Sequence, residues 1–193
     1  VKQDVVLAGV GGQGVLSVAA ILAEAARRAG LVAHQGEVHG MAQRGGAVQA
    51  TLRLADGPIE GDLVARGAAD LVLGMEPVEA LRYLEYLSPG GRLVTSADPY
   101  VNLPDYPPVE AVLEAVRAVP GSVLVAAGAL ARRAGSGRTA NVVMVGAASV
   151  FLPMTIPVLE ECLRHGFASK GERVVAANLR AFALGREAVE GGM

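Results

Sequence analysis

The stretch Val5-Val6-Leu7-Ala8-Gly9-Val10-Gly11-Gly12-Gln13-Gly14 decides the fold. Its first half is a short, partly β-branched apolar run bounded by glycine, the pattern of a buried strand. Beyond Gly14, residues 15–29 are rich in Ala and Leu and stop at Gly30, so the spacing predicts a helix with a glycine C-cap. Strand, glycine loop and helix N-terminus in that order aim several backbone N–H groups at one point, where the helix dipole favours negative charge. Gly9, Gly11, Gly12, Gln13 and Gly14 are therefore candidate binders of a phosphate, pyrophosphate or carboxylate. The plainer reading is that these glycines only let helix and strand pack closely.

A dinucleotide-binding unit needs an acidic residue about 20 residues further on, at the end of its second strand, to hold the ribose hydroxyls. Glu37, following residues 31–35, stands at a tolerable distance. It runs, however, into His39-Gly40-Met41-Ala42-Gln43-Arg44-Gly45-Gly46, a glycine-rich loop and not a helix start. NAD or FAD binding stays open as a rival reading, beside a non-enzymatic nucleotide-binding module. In that loop His39 offers a titratable ring, Gln43 an amide, and Arg44 a permanent cation suited to bidentate pairing with carboxylate or phosphate. The loop is expected at the carboxyl edge of the sheet, where open α/β folds bind ligands. The plain alternatives are a structural hydrogen bond for His39 and a surface or intersubunit ion pair for Arg44. Glu76 joins the candidates because it opens a helix, where a carboxylate is favourable whatever its function.

Gly-Val-Gly-Gly-Gln-Gly at 9–14 followed by Glu-Val-His-Gly-Met-Ala-Gln-Arg-Gly-Gly at 37–46 resembles the gamma-type subunit of 2-oxoacid:ferredoxin oxidoreductases. The second motif is most similar to the beta subunit of the indolepyruvate branch. Asp70-Leu71-Val72-Leu73-Gly74-Met75-Glu76, Asn141 ahead of an apolar run, and Lys170-Gly171 with Asn178 fit the same family. The order and separation of the two motifs are what one βαβ unit gives. The resemblance covers essentially the whole chain and implies one gamma-type catalytic domain over residues 1–193. It further implies an enzyme complex that decarboxylates an aryl 2-oxoacid on thiamine diphosphate, passes electrons through iron–sulfur clusters to ferredoxin, and delivers the acyl group to coenzyme A. Thiamine diphosphate, magnesium and the clusters would sit on a larger partner subunit. This chain, inactive alone, would complete the active-site wall, with coenzyme A at the subunit interface.

Composition is consistent with such a subunit. With 193 residues, 52% of them hydrophobic, one domain with a sizeable core is expected. No apolar run reaches the roughly 18 residues of a membrane span. Residues 1–4 lead straight into the first strand, so no signal peptide is expected and the location is read as cytoplasmic. A net charge of −2 without a basic cluster, 4% aromatics and no Trp argue against nucleic acid. The only cysteine, Cys162, sits in a helical pattern with Val158, Leu159 and Leu163, where a buried structural thiol is the default. Iron–sulfur clusters are held by several thiolates, and the three histidines lack metal-ligand spacing, so metals and redox cofactors are expected elsewhere. Self-association of the isolated chain is left open.

The remaining pattern predicts a three-layer α/β/α architecture with a mostly parallel, mixed sheet of about six strands. Val48, Ala50, Leu52 and Leu54 alternate with polar residues, a strand with one buried face. It follows the second strand through a glycine loop, so an antiparallel course is expected. Strands are also read at 69–74, 92–95 and 123–127, and a helix over 76–87 with Val78, Leu81 and Leu84 inward, ended by Ser88-Pro89-Gly90-Gly91. Residues 98–108, with four prolines, read as a surface connection. The C-terminal third is helical: an apolar helix at 139–151, a second at 155–165, and a long last one opened by a Ser169–Glu172 capping box.

Overall fold

The computed structural model describes residues 1–39, 45–101 and 105–192. The opening stretch forms strand β1 (Lys2–Val10) and helix α1 (Val15–Arg28). Strands β2 (Val32–His39), β3 (Ala47–Ala55) and β4 (Ala69–Gly74) follow. After them come α2 (Pro77–Arg82), β5 (Leu87–Ser96), α3 (Val109–Arg117) and β6 (Val123–Val125). The chain closes with α4 (Ala127–Ala134), α5 (Ala140–Ser149), α6 (Ile156–Phe167) and α7 (Glu172–Glu190).

The strands lie in the order β2-β3-β1-β4-β5-β6. β3 runs antiparallel to both β1 and β2, whereas β1, β4, β5 and β6 are mutually parallel. β1 outruns its apolar core because the full-length ladder with β3, from Lys2 opposite Ala55 to Val10 opposite Ala47, fixes both ends. The alternation of side chains then builds two cores. Val5 and Leu7 join Leu71, Leu73 and Val94 beneath α1 and α4–α7, while Val6, Val72 and Leu93 face Ala80 of α2 and Val116 of α3. A strand buried on both faces must be apolar at every position, which is why β1 reads as an uninterrupted run.

α5 is buried from Val142 to Ser149, as its apolar sequence led one to expect. It crosses α7 where Gly146 and Gly185 meet: a Cβ on Gly146 would run into the Phe182 carbonyl oxygen, and one on Gly185 into that of Val143. Cys162 is buried in α6, and burial pushes its thiol pKa up, consistent with a packing role.

Several expectations need correction. α2 is a short helix followed by a 3-10 turn at Leu84–Tyr86, and its fully buried apolar residue is Ala80. Leu81 and Leu84 are half-buried against the second core. Ser88-Pro89-Gly90-Gly91 belongs to β5, whose pairing with β4 is irregular there, with Pro89 and Gly90 exposed. Pro is tolerated at such irregularities because no ladder bond needs its missing N–H. β6 stops at Val125 and Ala127 already belongs to α4. The capping box does not form: Ser169 lies in a 3-10 turn, and Gly171, at φ 93°, precedes α7 without a side-chain cap.

Candidate functional site

The carboxyl ends of the four parallel strands converge on one cleft of about 390 Å³. Gly12, Gln13 and Gly14 enter it after β1, Met75 after β4, Ser96 and Asp98 after β5, and Ala127 and Gly128 after β6. Arg132, Arg138 and Asn141 close the far wall. α1, which follows β1, packs on one face of the sheet, and α2, which follows β4, on the other. Adjacent strands whose connections leave to opposite faces open a crevice between them, the place where α/β folds bind ligands.

The glycine loop is built for its place. Gly14 is the N-cap of α1 at φ 82°, a left-handed conformation that glycine adopts without strain, and it brings no side chain to the helix end. The first-turn N–H groups of α1 have no intrahelical acceptor, so the cleft meets a concentration of donors and the positive end of a helix dipole. Asn141 presses directly on Gly14: a Cβ there would lie 2.7 Å from Nδ2. Gln13 is a bracket, its Oε1 accepting from Val10 N at 2.8 Å and its Nε2 donating to the Met75 carbonyl at 3.3 Å. It ties the end of β1 to the end of β4. Gly9 is buried in β1, and a Cβ there would crowd Val15, Gln13 and Met75 at 2.8–2.9 Å.

The electrostatics favour an anion. Asp98, the one carboxylate lining the cleft among the described residues, is committed: Oδ2 accepts from Gly128 N at 2.7 Å, over the start of α4, and from Ser96 Oγ at 3.0 Å. Against it stand the guanidinium groups of Arg132 and Arg138. Arginine can hold a phosphate or carboxylate through two parallel hydrogen bonds.

The structure joins the ends of the two sequence motifs. Gly11 N donates to the Gly46 carbonyl at 2.8 Å, and Gly45 N approaches Gly11 O at 3.5 Å, so the return into β3 docks on the glycine loop. His39 ends β2 opposite Val48. The side chain of His39, and Gln43 and Arg44 altogether, lie outside the described residues.

Two candidates fall elsewhere. Glu37 is exposed on the edge strand β2, with Gln35 Nε2 donating to it at 2.7 Å, and β3 stands between it and β1. The dinucleotide reading needed the second strand directly beside the first; the inserted antiparallel strand overturns it. Glu76, 1% exposed, is turned away from the cleft. Its Oε2 caps α2 by accepting from Glu79 N at 2.8 Å, and its Oε1 accepts from Tyr106 Oη and, at 3.4 Å, from Tyr100 N. It clamps the connection after β5 onto the sheet edge. Burial and the neighbouring carboxylate raise the Tyr106 phenol pKa, keeping it a donor to Glu76.

Ser96, Asp98, Arg132 and Arg138 escaped the sequence reading. The signal available was modest: Asp98 comes two residues beyond the end of an apolar strand, and Arg138 lies in a short Gly-Ser-Gly-Arg turn between helices.

The profile of the family described as pyruvate ferredoxin/flavodoxin oxidoreductase matches residues 4–188. The chain belongs to the pyruvate ferredoxin/flavodoxin oxidoreductase family. Within that family it is a small subunit of a 2-oxoacid:ferredoxin oxidoreductase. It is 39% identical over 199 residues to indolepyruvate oxidoreductase subunit IorB of Thermococcus kodakarensis, covering 98% of this chain and 96% of the relative. The fold matches the gamma subunit of a keto/oxoacid ferredoxin oxidoreductase from Geobacter sulfurreducens, with a TM-score of 0.72, 24% identity, and coverage of 98% and 99% of the two chains. It also matches the 2-oxoglutarate:ferredoxin oxidoreductase of Magnetococcus marinus, solved with 2-oxoglutarate, coenzyme A and succinyl-CoA bound, with a TM-score of 0.78 and 23% identity. That match takes in 98% of this chain but only 31% of the longer one.

Proposed function

We propose that this chain is the gamma-type subunit of an oxidoreductase for indolepyruvate and related aryl 2-oxoacids, and that its glycine-loop cleft receives a phosphate of coenzyme A. The observation that carries the substrate class is the full-length, 39% likeness to an indolepyruvate oxidoreductase subunit. The cleft fits the coenzyme: the uncapped α1 N-terminus, Arg132 and Arg138 supply donors and positive charge, and the carboxylate of Asp98 is tied up by Gly128 and Ser96. Gly11, Gly12, Gln13 and Gly14 form the nest in this reading, and Arg44 and His39 are assigned to the same site from the sequence. In this reading residues 1–193 form one gamma-type domain.

The larger partner would hold thiamine diphosphate with magnesium, on which the 2-oxoacid loses carbon dioxide, and the iron–sulfur clusters that carry its two electrons to ferredoxin. Among the described residues no group of three or more His, Cys, Asp or Glu side chains is placed to hold a metal ion. This subunit then walls the active site and positions the thiol-bearing coenzyme, with the complex in the cytoplasm. No helix among the described residues is long and apolar enough to cross a membrane.

The test is coexpression with the larger subunit, followed by assay of coenzyme A-dependent ferredoxin reduction with a panel of 2-oxoacids. Indolepyruvate and phenylpyruvate should be the best substrates, and the small subunit alone should be inactive. Preference for pyruvate or 2-oxoglutarate, or turnover that ignores coenzyme A, overturns the reading.

A further inference from the structure

A second, larger cavity of about 750 Å³ opens on the other side of Arg138 and Asn141, which line both. Its walls come from α1, the turn before α5, the end of α6 and the start of α7. Two properties coexist in it. Arg138, Lys170 and Arg173 bring positive charge, and none of them has a carboxylate partner among the described residues. Ile21, Phe167 and Val174 bring apolar surface, with the Lys170 ammonium 5.2 Å from the centre of the Phe167 ring.

A third property is a polar group in the wall. Asn178 lines this cavity yet is only 3% exposed. Its Nδ2 donates to the Val174 carbonyl at 2.9 Å, which leaves Oδ1 without a partner among the described residues. That acceptor is left available to a donor group of a ligand in the cavity. The α7 N-terminus, whose N-cap Gly171 contributes no side-chain cap, adds a positive dipole end beside Arg173.

We propose that this cavity is a second ligand site, for a nucleoside phosphate. Its phosphates pair with Arg138, Lys170 and Arg173, its base lies against Ile21 and Phe167, and an exocyclic amino group of the base donates to Asn178 Oδ1. Each simpler ligand leaves part of the site unused. An inorganic anion has no need of the apolar wall, and an apolar molecule none of the cations. The volume lies within the range of about 300–1,000 Å³ usual for small-molecule sites. The proposal is independent of coenzyme A in the first cleft: Arg132 lines that cleft and not the second, while Lys170 and Arg173 line the second and not the first.

The experiment is calorimetric titration of the full chain with ADP, adenosine and inorganic phosphate. ADP should bind one-to-one, with adenosine and phosphate each at least about tenfold weaker, because each satisfies only half of the site. The double variant Lys170→Glu/Arg173→Glu should lose at least about tenfold in ADP affinity with an unchanged melting temperature, since both residues are exposed. If the charge reversal lowers the melting temperature, Lys170→Gln/Arg173→Gln gives the same comparison without repulsion. Arg132→Ala should leave ADP binding intact. Absence of ADP binding, indifference of its affinity to the Lys170 and Arg173 changes, or its loss on Arg132→Ala, which would put the nucleotide in the glycine-loop cleft, overturns the proposal.

Discussion

In the α5–α7 crossing glycine is present because there is no room for anything larger; in the loop after β1 it is present because of the shape the backbone takes. Gly146 and Gly185 sit in ordinary helical backbone with a neighbouring carbonyl where a Cβ would be. Gly12, at φ 102°, has nothing within 4 Å of an added Cβ, and Gly14 meets only a side-chain amide. The first region is apolar and close-packed; the second gathers Asp98, Arg132, Arg138 and Asn141 at the edge of the sheet, residues that packing alone would not choose. On the proposed reading stability is concentrated in one region and recognition in the other, so substitutions should separate the two.

The largest effect is expected from Gly185→Ala. Alanine is about 1 kcal/mol better than glycine in a helix interior, so propensity alone predicts stabilisation. The crossing reverses the sign: the new methyl must push α7 away from α5, and overpacking of that kind costs about 3 kcal/mol or more when backbone has to move. For a chain of this size that corresponds to a fall in Tm of about 6–12 °C, read by thermal denaturation followed by circular dichroism. A Tm at or above that of the natural chain would mean the two helices can separate freely.

Gly12→Ala should cost less, about 1–2 kcal/mol, because only the left-handed backbone resists it. Its mark should fall on the cleft instead: the assembled enzyme should show a raised KM for coenzyme A out of proportion to the small change in Tm. Equal losses in both would make the loop a packing device like the crossing.

What could be read from the sequence follows the same division. β1, α1, the alternation of β3 and the buried α5 were legible because each is dictated by local pattern: a two-faced strand, a glycine-capped helix, a period of two, an all-apolar helix. The place of β3 between β1 and β2 was not, since strand order is settled by long-range pairing, here from Lys2–Ala55 to Val10–Ala47. That one insertion removed Glu37 from the site. The glycine loop could be read as a candidate anion nest, but the guanidinium groups that share its cleft come from residues 132 and 138, more than a hundred positions along the chain, where nothing local marks them. Glu76 misled for a related reason. A carboxylate at a helix start suits a ligand site and a cap equally, and only its burial with Tyr106 and Glu79 N separates the two.

Arg132→Ala isolates recognition from stability. The side chain is exposed and forms no ion pair among the described residues, so ΔG of unfolding should stay within about 0.5 kcal/mol. In the assembled complex the KM for coenzyme A should rise by about tenfold, the loss of one charge-assisted contact worth about 1.4 kcal/mol, with kcat little changed. A lowered kcat at unchanged KM would place Arg132 outside the coenzyme site.

The smallest effect sharpens the contrast from the polar side. Glu79 is 6% exposed; its Oε1 lies 3.4 Å from Arg82 Nε, and its Oε2 is buried without a hydrogen-bond partner among the described residues. Burial raises its pKa, Arg82 opposes that, and the nearby Glu76 adds to it. A carboxyl group whose folded pKa lies above its unfolded one binds its proton more tightly in the folded chain, so stability declines as pH rises through the interval between the two values. Glu79→Gln removes that ionisation while keeping the size of the side chain, and the half-exposed Arg82 loses little when its partner becomes neutral. The variant should therefore melt slightly above the natural chain at pH 7, and the gap should close at about pH 3, where the carboxyl is protonated in both states. A gap that persists or widens in acid would show that the carboxylate is a favourable part of the packing, and the polar edge would then contribute to stability as the helical crossing does.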